Sequence, residues 1–171
     1  ELISTTDGQV TEMLRRNGVT GAFLVLDNPD SQKNYPGFYV RDYDPTSYSE
    51  DNGDLLLERG LPITARDNGI ALDSHWSAFF NMEDPKAPEV QFIFAPLNAA
   101  RQESVYNRNN AYYYHWSEPF RTSAMDREVI AYSIPLILPD GTVLGVLGVD
   151  VTVDYLSSVL VYDELDSEQA G

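Results

Sequence analysis

Hydrophobic and polar positions repeat with two different periods along this chain. Val10, Met13 and Leu14 recur at i, i+3 and i+4 among polar residues, the spacing of one buried helical stripe. Asn17-Gly18 offers a left-handed cap, so a helix is expected to end there. Gly21 to Asp27 (GAFLVLD) is a short apolar run between turn signals and predicts a buried strand, followed by a loop at Asn28-Pro29-Asp30-Ser31. Gly37 to Tyr43 (GFYVRDY), rich in aromatic and β-branched residues, predicts a strand opposing the first, ended by Asp44-Pro45. From Asp51 to Phe80 the pattern predicts short helices and turns. One helix would hold Leu55, Leu56 and Leu57, capped by Asp51 or Asn52 and stopped by Gly60 and Pro62. A second would carry Trp76, Phe79 and Phe80 behind Asp73 or Ser74. Val90 to Phe94 (VQFIF) predicts a third strand, and the stretch from Ala95 to Asn110 suits a helix, a loop or both.

The C-terminal third carries the clearest signals. Glu128 to Leu138 predicts a long strand, Pro139-Asp140-Gly141 a hairpin turn, and Thr142 to Val151 (TVLGVLGVDV) its return. Gly145 and Gly148 leave room for another element to approach, or bend the strand. Thr152 can cap a last helix with Asp154 near its positive end and an apolar face of Tyr155, Leu156, Val159 and Leu160. The expected fold is α+β: an antiparallel sheet of about five strands around a helical insert, with a helix at each end.

Composition narrows the function. The 171 residues fit one domain, and 43% apolar content with 11 Tyr excludes a disordered chain. A net charge of −16 argues against sequence-independent nucleic-acid binding and against docking on anionic lipid, both of which need clustered cations. The absence of Cys removes disulfides, thiolate nucleophiles and cysteine-held metals. The chain starts Glu1-Leu2-Ile3, shows neither a signal-peptide pattern nor an 18-residue apolar run, and reads as an excised or processed piece.

Several motifs resemble the sensor modules of the double Cache family. Ile134-Pro135-Leu136, Asp140-Gly141, Gly145-Val146-Leu147-Gly148-Val149-Asp150-Val151 and Tyr155-Leu156 resemble the close of such a module. Trp116-Ser117-Glu118-Pro119-Phe120 resembles its Trp-Ser-x-Pro-aromatic segment. Gly21 to Leu26 and Pro36 to Asp42 look like the first hairpin of the membrane-distal half. The resemblance implies a PAS-like antiparallel five-stranded sheet with short helices on one side, located outside the cytoplasmic membrane of a bacterium or archaeon. It implies no catalysis and no cofactor. It implies binding of a small molecule, signalling through transmembrane helices to a histidine kinase, diguanylate cyclase or chemoreceptor output, and pairing of two copies through the N-terminal helix. Residues 1–18 would then end that helix, residues 19–161 form the sensor, and residues 162–171 lead on to a following module, as Tyr162-Asp163-Glu164-Leu165 suggests.

Family members that bind amino acids use an Arg-x-Trp-Tyr segment for the carboxylate, and a Tyr-x-Asp segment with a final Asp for the ammonium. Asp150 matches the final Asp; the Tyr-x-Asp position reads Phe120-Arg121-Thr122, and Arg-x-Trp-Tyr is absent. An α-amino acid is therefore not assumed. Asp150 interrupts an apolar strand and needs a donor: a ligand ammonium, an Arg, or the backbone at the following helix start. Arg121 would suit an anion, or pair with Glu118. Arg41 reads as a structural ion pair with Asp42 and Asp44. Tyr114 and Trp116 in the aromatic run Tyr112 to Trp116 share a face if that run is a strand, with His115 turned the other way and exposed. Tyr132 neighbours the Asp150 strand, and Trp76 completes the candidate ligand-binding set; each aromatic suits the core as well. Two His give no basis for a histidine metal site, and a calcium loop from Asp42 fails because Ser47 and Gly53 stand where Gly and Glu are needed. Two other functions compete with the sensor: a structural or dimerising interaction module without a small ligand, and a hydrolase with paired carboxylates, although HExxH, GxSxG, P-loop and GxGxxG patterns are absent.

Overall fold

The helical stripe forms as the spacing predicts. Helix α1 (Leu2–Asn17) buries Val10 and Leu14, and Gly18 closes it at φ 58°, in the left-handed region. This is a computed structural model, and it describes residues 2–30, 33–42, 44–47, 52–102, 110–121 and 127–160. After α1 come strands β1 (Gly21–Leu26), β2 (Asn34–Tyr35), β3 (Gly37–Asp42) and β4 (Leu55–Arg59), helix α2 (Pro62–Asn68), then β5 (Ala71–Ser77) and β6 (Phe80–Asn81). A 3-10 turn at Pro88–Val90 leads into α3 (Gln91–Gln102), and a second at Asn110–Tyr113 precedes β7 (His115–Trp116), β8 (Phe120–Arg121), β9 (Glu128–Ile137) and β10 (Val143–Thr152). A last helix, α4, covers residues 153–160, with the Thr152 hydroxyl accepting the Tyr155 N–H at 3.3 Å as its cap.

The fold is α+β, with a mixed sheet larger than expected. Among the described residues eight strands join in the order β5-β4-β3-β1-β10-β9-β7, with β8 also on β9, while β2 and β6 pair separately. Neighbours run antiparallel except β4 and β5, which are parallel. The expected five-stranded, wholly antiparallel sheet is thus corrected. Leu55–Leu57 lies in a strand because Leu55 and Leu57 alternate inward against the helices while Glu58 turns to the other face. Pro62 starts a helix instead of stopping one: its missing N–H costs nothing in a first turn. The Trp76 segment is the parallel strand β5, not a helix. The VQFIF run is not a strand: Phe92, Ile93 and Phe94 open helix α3, and Leu97 continues its buried side. A short apolar run fits a buried strand or a buried helix equally well by periodicity.

Alternation along β1 sorts the core into two layers. Phe23 and Val25 face α3 together with Tyr39, Phe92, Phe120, Ala131 and Val146. Ala22 and Leu24 face the other way, under α1 and α2, with Leu14, Phe38, Val40 and Leu57. The β9–β10 hairpin forms as predicted, with Gly141 at φ 91° and its N–H on the Leu138 carbonyl at 2.9 Å. A Cβ on Gly148 would overlap the Phe23 ring, so the glycine is what admits that ring. The expected linker over residues 162–171, Tyr43 at the end of the second strand, Glu50, Asp51 and Thr122 lie outside the described residues. Among the described residues no helix is long and apolar enough to cross a membrane.

Candidate functional site

Asp150 is the centre of a buried charge network on the α3 face. Its residue and Arg41 stand directly opposite Gly21 on the two strands that flank β1. A Cβ at Gly21 would overlap the Asp150 carboxylate, so the missing side chain lets Arg41 and Asp150 meet across β1. Arg41 Nη1 donates to Asp150 Oδ1 at 3.3 Å and Arg41 Nε to Glu58 Oε2 at 2.5 Å. Tyr39 accepts a bond from Arg41 Nη2 and donates its hydroxyl to Asp150 Oδ2, with the guanidinium carbon 4.3 Å from its ring centroid. Thr20 donates to Asp150 Oδ1 at 2.9 Å and accepts the Thr152 N–H at 2.8 Å. Arg41 is 0% and Glu58 2% exposed, so this is a closed ionic cluster.

Its electrostatics follow from burial. Burial opposes the charge on Arg41, but Asp150, Tyr39 and Glu58 outweigh it and hold the guanidinium's pKa above its ordinary value. Burial, reinforced by Asp150 and Glu58 against the opposing pull of Arg41, pushes the Tyr39 hydroxyl well above the usual tyrosine value, so it serves as a neutral donor.

A cavity of about 520 Å³ lies beside this cluster, between the sheet, the β6 segment and the start of α3. That volume is within the range of small-molecule sites. Tyr39, Phe80 and Phe92 give it aromatic walls, and Glu58 and Arg59 reach it from β4. Glu83, Asp84 and Glu89 lie on its exposed side, as does Arg121. The network thus touches the cavity through Tyr39 and Glu58.

The six residues singled out from sequence do not come together. Arg121 lines the cavity, its guanidinium 3.8 Å from Glu128, not Glu118. Asp150 faces the same side but is enclosed behind Tyr39, and of the donors open to it, an Arg has been used. Tyr132 stands opposite Val149 and so points to the other face, where Trp116 packs at 4.8 Å and Tyr114 stacks at 5.9 Å between ring centroids. Trp116 is 60% and Tyr114 57% exposed. Trp76 also belongs to the α1/α2 layer, its indole N–H on the Gly60 carbonyl at 2.9 Å. His115 is half-buried instead of exposed, and burial lowers its pKa. Arg41 is a structural ion pair as read, but with Glu58 and Asp150 in place of Asp42 and Asp44. Glu58 and Tyr39 went unnoticed. The signal for Tyr39 was its i, i+2 relation to Arg41, which puts both on one strand face.

Among the described residues no group of three or more His, Asp or Glu is placed to hold a metal ion. No protein-family model matches the chain, and no curated protein matches it.

Proposed function

We propose that this chain is an extracytoplasmic small-molecule-sensing module of a transmembrane signalling receptor, the membrane-distal half of a double Cache pair with a PAS-like sheet. The observation that carries the reading is the cavity whose walls are bonded into the buried network. Tyr39 and Glu58 touch the cavity and hold Arg41 and Asp150. Asp150 binds Thr20, which follows α1, and Thr20 binds the backbone of Thr152, which caps α4. The neighbour of Arg41, Asp42, turns to the opposite face and takes Arg15 of α1 at 3.2 Å. A ligand that moves Tyr39 or Glu58 therefore acts on the ends of both terminal helices. Shifts of about 1–2 Å at a helix suffice to carry a signal. In this reading the module performs no catalysis, and the output lies in a separate part of the receptor.

A thermal-shift screen across amines, carboxylates, nucleobases, sugars and amino acids tests the reading, followed by amide exchange on α1 and α4 with any hit. Stabilisation with altered protection at both helices supports a sensor. A folded protein silent to every class counts against it.

The second reading, a structural or dimerising module, is favoured by large exposed apolar side chains at two places: Tyr114 and Trp116, which pack on Tyr132 of β9, and Leu156, Val159 and Leu160 on α4. A concentration-dependent dimer that Trp116→Ala dissolves, with no ligand response, would support it. The acids at the cavity meet the composition of a glycosidase. A general acid is ordinarily held in an apolar setting, whereas Glu58 pairs with Arg41 and Arg59, and Glu83, Asp84 and Glu89 are exposed.

A further inference from the structure

The sheet is covered unequally on its α1 side. One row of paired residues crosses it from Leu57 through Val40, Ala22, Val149 and Tyr132 to Trp116. Residues opposite one another in neighbouring strands share a face, so all six point to the same side. Leu57, Val40 and Ala22 are fully buried, Val149 and Tyr132 half-buried, and Trp116 exposed. The next row repeats the gradient: Phe38 and Leu24 are buried, Leu147 and Ile134 half-buried. The placement of the helices is the cause. α1 packs on β1 and β3, and α2 on α1 and β5, whereas the helix that packs on β9 and β10 is α3, on the opposite side.

Beyond β1 this side of the sheet is a recess beside α1, floored by β10, β9 and β7. The floor is aliphatic and aromatic without interruption. β9 contributes every second residue from Ile130 to Leu136 and β10 every second residue from Leu147 to Val151, all half-buried. Tyr114 adds a second exposed ring, stacked on Tyr132. At about 150–250 Å² per aromatic side chain, the open parts of Tyr114 and Trp116 alone offer roughly 200–300 Å². The half-buried side chains bring the apolar area to the order of 400–500 Å². A standard interface takes about 800 Å² from each partner, about 60% of it apolar, which is roughly 500 Å². The face matches that need.

Its charge selects the partner. No acid or base stands at any of these positions, in a chain with 27 Asp and Glu and a net charge of −16. Two such chains repel wherever their acids face each other, so they meet closely only on an uncharged surface. A cationic partner would be held by acids, and this face offers it none. The depth fits as well. Packed sheets lie about 10 Å apart, close to the diameter of a helix. The same face of a second copy therefore fills the recess to the height of α1.

We infer that two copies of this chain pair through the face of β7, β9 and β10, in an isologous contact about a twofold axis with Tyr114, Trp116 and Tyr132 of each copy at its centre. α1 borders this interface without forming it. The contact lies on the side of the sheet opposite the cavity, so the inference goes beyond the sensor reading and stands or falls without it.

Sedimentation equilibrium of the whole chain, from micromolar to millimolar, at about 0.05 and 0.5 M salt is the test. A dimer should form, and should tighten several-fold at the higher salt, which screens the acids of the two copies. Trp116→Glu places an acid in the face and should weaken the dimer at least tenfold. Leu72→Glu, also at an exposed apolar position but on β5 at the far end of the sheet, should leave it unchanged. Hydroxyl-radical footprinting needs no variant: oxidation of Tyr114 and Trp116 should fall as the dimer forms, and that of the exposed Phe79 should not. A monomer at every concentration overturns the inference, assigns the face to a different partner and leaves the sensor reading standing. A dimer that survives Trp116→Glu but is lost in Leu160→Glu places the contact on α4 and overturns it. A dimer loosened by salt is held by charge and overturns it as well.

Discussion

Two arginine networks hang from one strand, and they differ in kind. Arg41 and Asp42 are neighbours on β3 that point to opposite faces. Arg41 is sealed in the sheet, bonded to Glu58, Asp150 and Tyr39, with no water-facing surface. Arg15 comes from α1 to meet Asp42 and Asp54 at the edge of the other layer, 10% exposed against 4% and 21% for its partners. Burial raises the Asp42 pKa, with the Asp54 charge adding to it, against the Asp44 N–H bonded to the carboxylate and Arg15 nearby, which both lower it. The first network fixes one strand against its neighbours and borders a cavity. The second fastens a helix to the sheet. Their adjacency on β3 leaves one peptide bond between the cluster that borders the cavity and the carboxylate that holds Arg15 of α1.

The comparison is broken hardest at Asp150. Asp150→Ala should lose about 3–5 kcal/mol in chemical denaturation, because it strips a fully buried guanidinium of one counter-charge. Replacing Arg41, Glu58 and Asp150 together by Met, Leu and Leu should return most of that loss, since apolar side chains of similar volume often substitute for a buried ionic cluster. If the triple variant is as unstable as Asp150→Ala, the cluster is needed for folding, and its role in transmission loses support.

Tyr39→Phe comes next, at about 1–3 kcal/mol near neutral pH for an orphaned carboxylate contact. Its pH dependence sharpens the contrast. The folded-state pKa of Tyr39 is raised, so its contribution is whole below the unfolded value of about 10 and is lost as pH rises toward the folded value. The unfolded chain ionises first, and stability falls by about 1.4 kcal/mol per pH unit from this group. The gap between parent and Tyr39→Phe should therefore narrow above pH 10 in parallel urea titrations. A constant gap would mean that Tyr39 ionises normally in the fold.

Arg15→Met should cost less, about 1–2 kcal/mol, since water reaches its network, and should increase amide exchange in α1 more than in β3. Smallest of all is Trp116→Ala, within about 0.5 kcal/mol of the parent, because the ring is exposed. Its effect should be read in the sedimentation of the chain at high concentration.

How much of this was legible in the residues varies with distance along the chain. Helix α1 and its Gly18 cap, β1 and β3 as opposing strands, the β9–β10 turn and the Thr152 cap all rest on signals within a few residues, and all appear where expected. The α+β class follows from them. Asp150 could be read as a carboxylate in need of a donor, and the donor could not be chosen.

The tertiary structure decided the rest. Leu55–Arg59 and Ala71–Ser77 became strands and Gln91–Gln102 a helix because neighbouring elements supplied the partners; their short apolar runs satisfy either period. Arg41 found Asp150 across 109 positions because both stand opposite a glycine in β1. Tyr132 and Asp150 sit on adjacent strands yet face opposite layers through register alone. Periodicity and caps are written locally; which side chain meets which across a sheet depends on register, and register is a property of the assembled strands.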